Sequence, residues 1–262
     1  GQQHNFCLIA LHCIGLKPIA YNSENLGALF QNIVAGNTKK SWKSLRGHTD
    51  AVAFPFTLDT IAGTKISGSP DFVILCGIRN PKQIPTWLVP FHKIKKEVLE
   101  KQPLYNDVYV DTLLSDDIYD IHLQDSFEKG CFPHGYKLEK SSILGRDSHG
   151  IQAIRFNSAV TVNPCVGAEV IAEASELLSL IRNVLAEDAK AEDCKLHEKI
   201  VINPGDVLLV NNRFALHGRA EVTTQDNPET GGDTRWLLRT YGYKPRTQGD
   251  AQKMDAPHIM YP

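Results

Sequence analysis

The sequence predicts a mainly β fold with flanking helices, a double-stranded β-helix of the jelly-roll or cupin-like kind. Three observations carry this. Short runs rich in β-branched and aromatic residues, most bounded by turn residues, recur along the 262-residue chain. An Asn203-Pro204-Gly205-Asp206 turn joins two apolar runs, the kind of hairpin from which jelly rolls are built. Helical periodicity is clearest over a single long segment.

Taken in order, the first apolar run, Phe6 to Ile14, is far too short to cross a bilayer and has no basic stretch before it. It reads as a buried strand or helix near a trimmed or tagged start. Strands are predicted over Asp71 to Ile78, Val108 to Leu113, Ile151 to Phe156, Lys199 to Ile202, Val207 to Val210 and Arg235 to Tyr243. Between them, Ala168 to Lys190 places Val170, Ala174, Leu177, Leu178, Ile181, Val184 and Leu185 at helical spacing, so this helix should lie against the outside of the sheet. A polar stretch from Thr223 to Asp233 reads as a loop that sets Arg235 close to a barrel mouth. With no internal repeat, low-complexity tract or long linker, residues 1–262 are expected to form one domain.

The formal net charge of -2 and a pI near 6.6 give no electrostatic footprint for nucleic acid or an anionic membrane, which leaves a small molecule as the expected partner. None of the six cysteines forms a C-x-x-C pair, and a chain of this size needs no covalent staples. Free, mostly buried thiols in a reducing cytoplasm are the expectation.

The chemistry begins at His48-Thr49-Asp50. A histidine and a carboxylate two apart on an extended segment project to one face and can chelate a divalent metal. Alone the triplet says little, because about one is expected by chance in a chain with this composition. His217, just after the Val207 run, completes a facial triad of two histidines and one carboxylate. Such a triad leaves three neighbouring positions for a bidentate ligand and dioxygen. A structural zinc site would want four closed ligands, usually with cysteines, and a Ser/His/Asp hydrolase would want a nucleophile elbow that the sequence lacks. On the last strand, alternation puts Arg235, Leu237 and Arg239 on one face. Two inward guanidiniums need anions, and two carboxylates would supply them. The competing reading of either arginine alone is a solvated strand face. The ordered set of His-x-Asp, distant His, Arg and Arg favours the site.

These segments resemble the clavaminate synthase-like and taurine dioxygenase-like branch of the iron(II)/2-oxoglutarate oxygenases. The resemblance runs through 24–33, Arg46-Gly47-His48-Thr49-Asp50, 70–81, the His217 segment and Arg235-Trp236-Leu237-Leu238-Arg239. It implies that His48, Asp50 and His217 hold Fe(II), and that Arg235, with the hydroxyl of Thr86, takes the distal carboxylate of 2-oxoglutarate. It further implies that Arg239 takes the acidic group of the substrate and that Glu24 helps hold its amino group. Iron(II), 2-oxoglutarate as cosubstrate and O2 are thus the implied cofactors. The stretch around His48 looks most like the clade acting on free lysine, which includes hydroxylases and their halogenating relatives. The halogenases carry glycine where this chain has Asp50, so hydroxylation is the implied outcome. No full set of lysine-contacting acids is matched, since Ala51 follows the motif. The expected substrate is a free amino acid, lysine first and arginine second. Another small acid, or a non-catalytic metal-binding jelly roll, is the alternative.

Overall fold

The computed structural model describes residues 2–21, 27–34, 45–52, 69–102, 119–120, 142–147, 150–157, 161–162, 167–221, 235–244 and 259–260. Two sheets face each other. The larger has six strands: β1 (Lys17–Tyr21), β2 (Gln31–Val34), β4 (Phe72–Arg79), β11 (Val207–Asn211), β13 (Trp236–Tyr243) and β14 (Ile259–Met260). Its order is β11-β4-β13-β1-β14, with β2 also paired to β13. The smaller runs β10-β5-β12-β3, from Glu198–Ile200, Thr86–Pro90, Ala215–Arg219 and Leu45–His48. Apart from the parallel β1/β14 pair, both sheets are antiparallel. Short ladders join β6 (Tyr119–Asp120) to β9 (Thr161–Val162) and β7 (Leu144–Asp147) to β8 (Gly150–Ile154). This is the jelly-roll arrangement expected, and no helix among the described residues is long and apolar enough to cross a membrane.

Alternation explains why β4 reads as a continuous apolar run: it is covered on both faces. Val73 and Leu75 join Leu237, Tyr241 and Ile19 between the sheets, while Ile74, Cys76 and Leu238 face outward under α1 (Gln2–Cys13). The run Phe6 to Ile14 is therefore helix, and it is buried on one stripe only. Cys7 and Leu11 are covered, whereas Phe6, Ile9 and Ile14 are exposed, a correction to the buried element expected. The helix ends in a Schellman turn: Gly15, at φ +70°, donates its N–H to His12 O, and Leu16 N–H reaches Leu11 O. The long helix α3 (Ala168–Asp188) follows the expected span to within two residues. It sits on the outer face of the smaller sheet, packing Ala174, Leu177, Leu178, Ile181 and Leu185 against Val89 and Leu216. Between the two, α2 (Phe91–Glu97) adds Phe91 and Ile94 to the same cluster.

The turn at 203–206 does not close a hairpin. β10 pairs with β5 in one sheet and β11 with β4 in the other, so the turn carries the chain across the barrel edge. Its backbone lies on Gly77: Gly77 N–H donates to Asp206 O and Gly205 N–H to Gly77 O, each at 2.9 Å. A Cβ at Gly77 would sit 1.9 Å from Asn203 O, so this approach excludes every other residue. The predicted Val108 to Leu113 strand lies outside the described residues. Cys7, Cys13, Cys76 and Cys194 are free, Cys7 and Cys76 fully buried and Cys13 exposed.

Candidate active site

The site lies between the sheets. On the smaller sheet His48 closes β3 and is the cross-strand partner of His217 on β12, which brings the rings to 4.5 Å between centroids. The strand ends at His48, so Asp50 does not project by strand alternation as expected. It reaches the same place through a turn. Thr49 N–H donates to Phe156 O and Thr49 Oγ1 accepts from Phe156 N–H, while Asp50 N–H donates to Asn212 Oδ1. His48 Nε2 then lies 3.3 Å from Asp50 Oδ1, and His217 Nε2 lies 3.6 Å from Asp50 Oδ2.

All three ligand atoms fall within 4.8 Å of one another. Bonds of about 2.1 Å at right angles put neighbouring ligand atoms about 3 Å apart. Two imidazoles and a carboxylate in this arrangement thus suit a divalent ion, which would draw them together. Burial pulls the His217 imidazole below its usual range, with the neighbouring His48 acting the same way, which favours the neutral ligating form. Burial alone would push the Asp50 carboxyl up, but the Arg239 guanidinium and His217 outweigh it and hold it well below the usual carboxylate range. His217 Nδ1 is buried without a partner among the described residues, so strand pairing orients that ring.

The last long strand of the larger sheet and the residue before it supply two cations, and β12 a third. Arg235, just before β13, is buried and donates from Nη2 to Thr86 Oγ1 at 2.5 Å. Arg219 stands directly across from Thr86, as His217 stands across from Leu88. The two-residue period of β12 and β5 therefore puts His217, Arg219 and Thr86 on one face. Burial, and after it the second guanidinium of Arg219, lowers Arg235 to about 10, and burial lowers Arg219 too. A bound anion would reverse both shifts. Four residues along β13, Arg239 donates from Nη1 to Asp50 Oδ2 at 3.0 Å and from Nη2 to Gln31 Oε1, its cross-strand neighbour on β2. Its guanidinium also lies 4.7 Å from the Tyr241 ring centre.

The structure thus brings together His48, Asp50, His217, Thr86, Arg235 and Arg239, while Glu24 lies outside the described residues. Asn212, Gln31 and Arg219 were not singled out from the sequence. For Arg219 the available signal was its place two after His217, which shares that histidine's face.

No protein-family model and no curated protein sequence matches the chain. Solved structures match it in fold. Asparagine oxygenase in complex with Fe(II), 2S,3S-3-hydroxyasparagine and succinate aligns with a TM-score of 0.69 at 20% identity, over 100% of this chain and 71% of its own. The non-heme iron oxygenase OrfP in complex with Fe and L-canavanine gives 0.64 at 17% identity, over 97% of this chain and 68% of its own. OrfP with Fe and alpha-ketoglutaric acid gives 0.63 at 16%, with the same coverage. At such identities the likeness is one of fold: this chain folds as the double-stranded β-helix of these non-heme iron oxygenases.

Proposed function

We propose that the chain is an iron(II)- and 2-oxoglutarate-dependent oxygenase that hydroxylates an unactivated C–H bond of a free amino acid. On this reading residues 1–262 form one cytoplasmic oxygenase domain. The observation that carries the reading is the pairing, on one face of β12 and β5, of the His48/Asp50/His217 cluster with the buried Arg235–Thr86 hydrogen bond. Two residues of β12 separate the level of His217 from that of Thr86, a span of about 7 Å. This suits a five-carbon 2-oxo diacid that chelates at one end and meets a guanidinium at the other.

His48, Asp50 and His217 would hold the metal. Arg235, with Thr86 and the adjacent charge of Arg219, would fix the distal carboxylate. Iron(II) bound there would supply dioxygen activation, with 2-oxoglutarate going to succinate and carbon dioxide as one oxygen atom enters the substrate. The protein decides which C–H bond reacts by where it holds the substrate. Arg239, which contacts Gln31, Tyr241 and Asp50, would take the substrate's α-carboxylate. Glu24 is proposed for the amino group on the family resemblance alone.

Lysine is the first substrate proposed and arginine the second, both on that resemblance. The solved structures of like fold, named for asparagine oxygenation and for complexes with L-canavanine and hydroxy-L-Arg, support arginine and asparagine as the next to try. The test is succinate release from 2-oxoglutarate with iron(II) and ascorbate, screened amino acid by amino acid, with mass spectrometry for a product heavier by one oxygen. Coupled formation from one amino acid supports class and substrate together. Absence of both turnover and 2-oxoglutarate binding in the metal-loaded protein would reject the oxygenase reading in favour of a non-catalytic metal-binding barrel.

A further inference from the structure

We propose that Asn212 is a positioning residue whose carboxamide holds the strained Asp50–Ala51 turn and thereby sets the Asp50 carboxylate for the metal. The inference rests on the reading of Asp50 as a ligand. Because β3 ends at His48, regular strand geometry does not deliver Asp50, and something else must fix it. The next residue, Ala51, sits at φ +53°, where an L side chain is disfavoured and persists only when its surroundings over-determine it.

Asn212 supplies that constraint. Its Oδ1 accepts the N–H of Asp50 at 2.8 Å and its Nδ2 donates to the C=O of Asp50 at 3.0 Å, so the side chain pairs with both polar groups of the ligand residue as an adjacent strand would. The second Nδ2 proton meets Pro70 O at 3.1 Å. Two donors and one acceptor are in use on a side chain that is itself buried, a set that only a carboxamide provides. Asn212 is in turn anchored by its own N–H to Asp71 O at 2.9 Å. The adjacent Arg213 braces the 69–71 segment, donating from Nε to Asp71 Oδ1 and from Nη2 to Ser69 O. The Thr49–Phe156 pair secures the other flank of the turn. Arg239 pulls on Asp50 Oδ2 from the opposite sheet. With the backbone fixed by Asn212, the carboxylate stays between the two imidazoles rather than following the guanidinium.

The test measures Co(II) affinity by calorimetry, and the Co(II) visible spectrum, on metal-stripped protein well below its melting temperature. Melting of the metal-free protein is followed in parallel. Asn212→Ala should weaken Co(II) binding about 10- to 100-fold and alter the spectrum. Asn212→Asp should do no better, because a carboxylate oxygen would face the carbonyls of Asp50 and Pro70. Ala51→Gly, which removes the left-handed penalty, should recover about fivefold of the affinity lost in Asn212→Ala. A folded Asn212→Ala protein that binds Co(II) within about twofold of the parent overturns the proposal. If Asn212→Ala does not fold, Asn212→Ser, which keeps an acceptor for Asp50 N–H, carries the same comparison. Asp50→Ala separates the two readings. If it leaves Co(II) binding intact the metal-ligand reading fails, whereas if it abolishes binding while Asn212→Ala stays within about twofold of the parent, only the positioning role fails.

Discussion

Replacing Thr86 by Val tests the proposed cosubstrate clamp with little disturbance to shape. Thr86 is 1% exposed, and its Oγ1 is the acceptor for Arg235 Nη2 at 2.5 Å. Valine keeps the β-branched outline on β5 and removes only the oxygen. Arg235 Nε already lacks a partner among the described residues, so the substitution leaves the guanidinium less well met. A hydrogen bond to a charged group contributes about 1.5–3 kcal/mol. If the same hydroxyl shares the distal carboxylate, its loss weakens 2-oxoglutarate binding by roughly 10- to 150-fold. The melting temperature should fall by about 2–4 °C per kcal/mol lost. Calorimetric titration of 2-oxoglutarate into Mn(II)-loaded protein reads the first effect. In turnover, KM for 2-oxoglutarate should rise with kcat little changed, the pattern of a contact equally strong in ground and transition states. Metal affinity should not move, because Thr86 stands two residues along β5 from Leu88, the partner of His217. A Kd for 2-oxoglutarate within about twofold of the parent, or an equal loss of Mn(II) affinity, would refute the assignment.

Other perturbations follow from the same contacts. Gly77→Ala would drive a Cβ to 1.9 Å from the Asn203 carbonyl oxygen, so the crossing turn must move. A loss of about 3 kcal/mol or more is expected, read as a drop in the urea midpoint; an unchanged midpoint would show that the turn yields freely. Arg213→Ala leaves Asp71 buried without its ion-pair partner, with its other oxygen still accepting from Lys244 N–H. This should cost about 3–5 kcal/mol, and Asp71→Asn made in the same background should recover part of it. Burial would raise the Asp188 carboxyl, but the bonds from His197 and from the N–H groups of residues 195–197 outweigh it and lower it below 3.8. A lowered acid stabilises the fold above its unfolded value and loses that contribution as pH falls through the folded value. The stability gap between parent and Asp188→Asn should therefore be full at pH 6 and close below about pH 4, and a constant gap would contradict it. Burial, with Cys76 beside it, pushes the Cys7 thiol to about 12, so Cys7→Ser should leave native thiol titration unchanged while Cys13→Ser removes a reacting group.

Much of the fold was legible in the sequence, as were most of the residues that the structure gathers at the candidate site, for identifiable reasons. The long helix announces itself because it packs one face only. β4 announces itself because both its faces are covered by apolar contacts. The His-x-Asp pair and the late histidine are readable because few residue types ligate metals, and the two arginines because guanidiniums facing a barrel interior demand anions. β1 was not legible, because Pro18 interrupts its short run, and β5 because it spans only five residues and ends in Pro90. Nor were Asn212 and Gln31, ordinary amides whose roles depend on partners 162 and 208 residues distant. The turn at 203–206 carried the right composition for a hairpin, and only the register of its flanking strands reveals that it changes sheets.

The pairing of His48 with His217 has a consequence for how the protein is made. During synthesis His48 and Asp50 leave the ribosome well before the strand that carries His217. At about 5–20 residues per second that interval is on the order of ten to thirty seconds. Throughout it the nascent chain carries His48 and Asp50 without His217 or Asn212. On the proposed ligand reading, a complete metal site would therefore form only after β12 has been made.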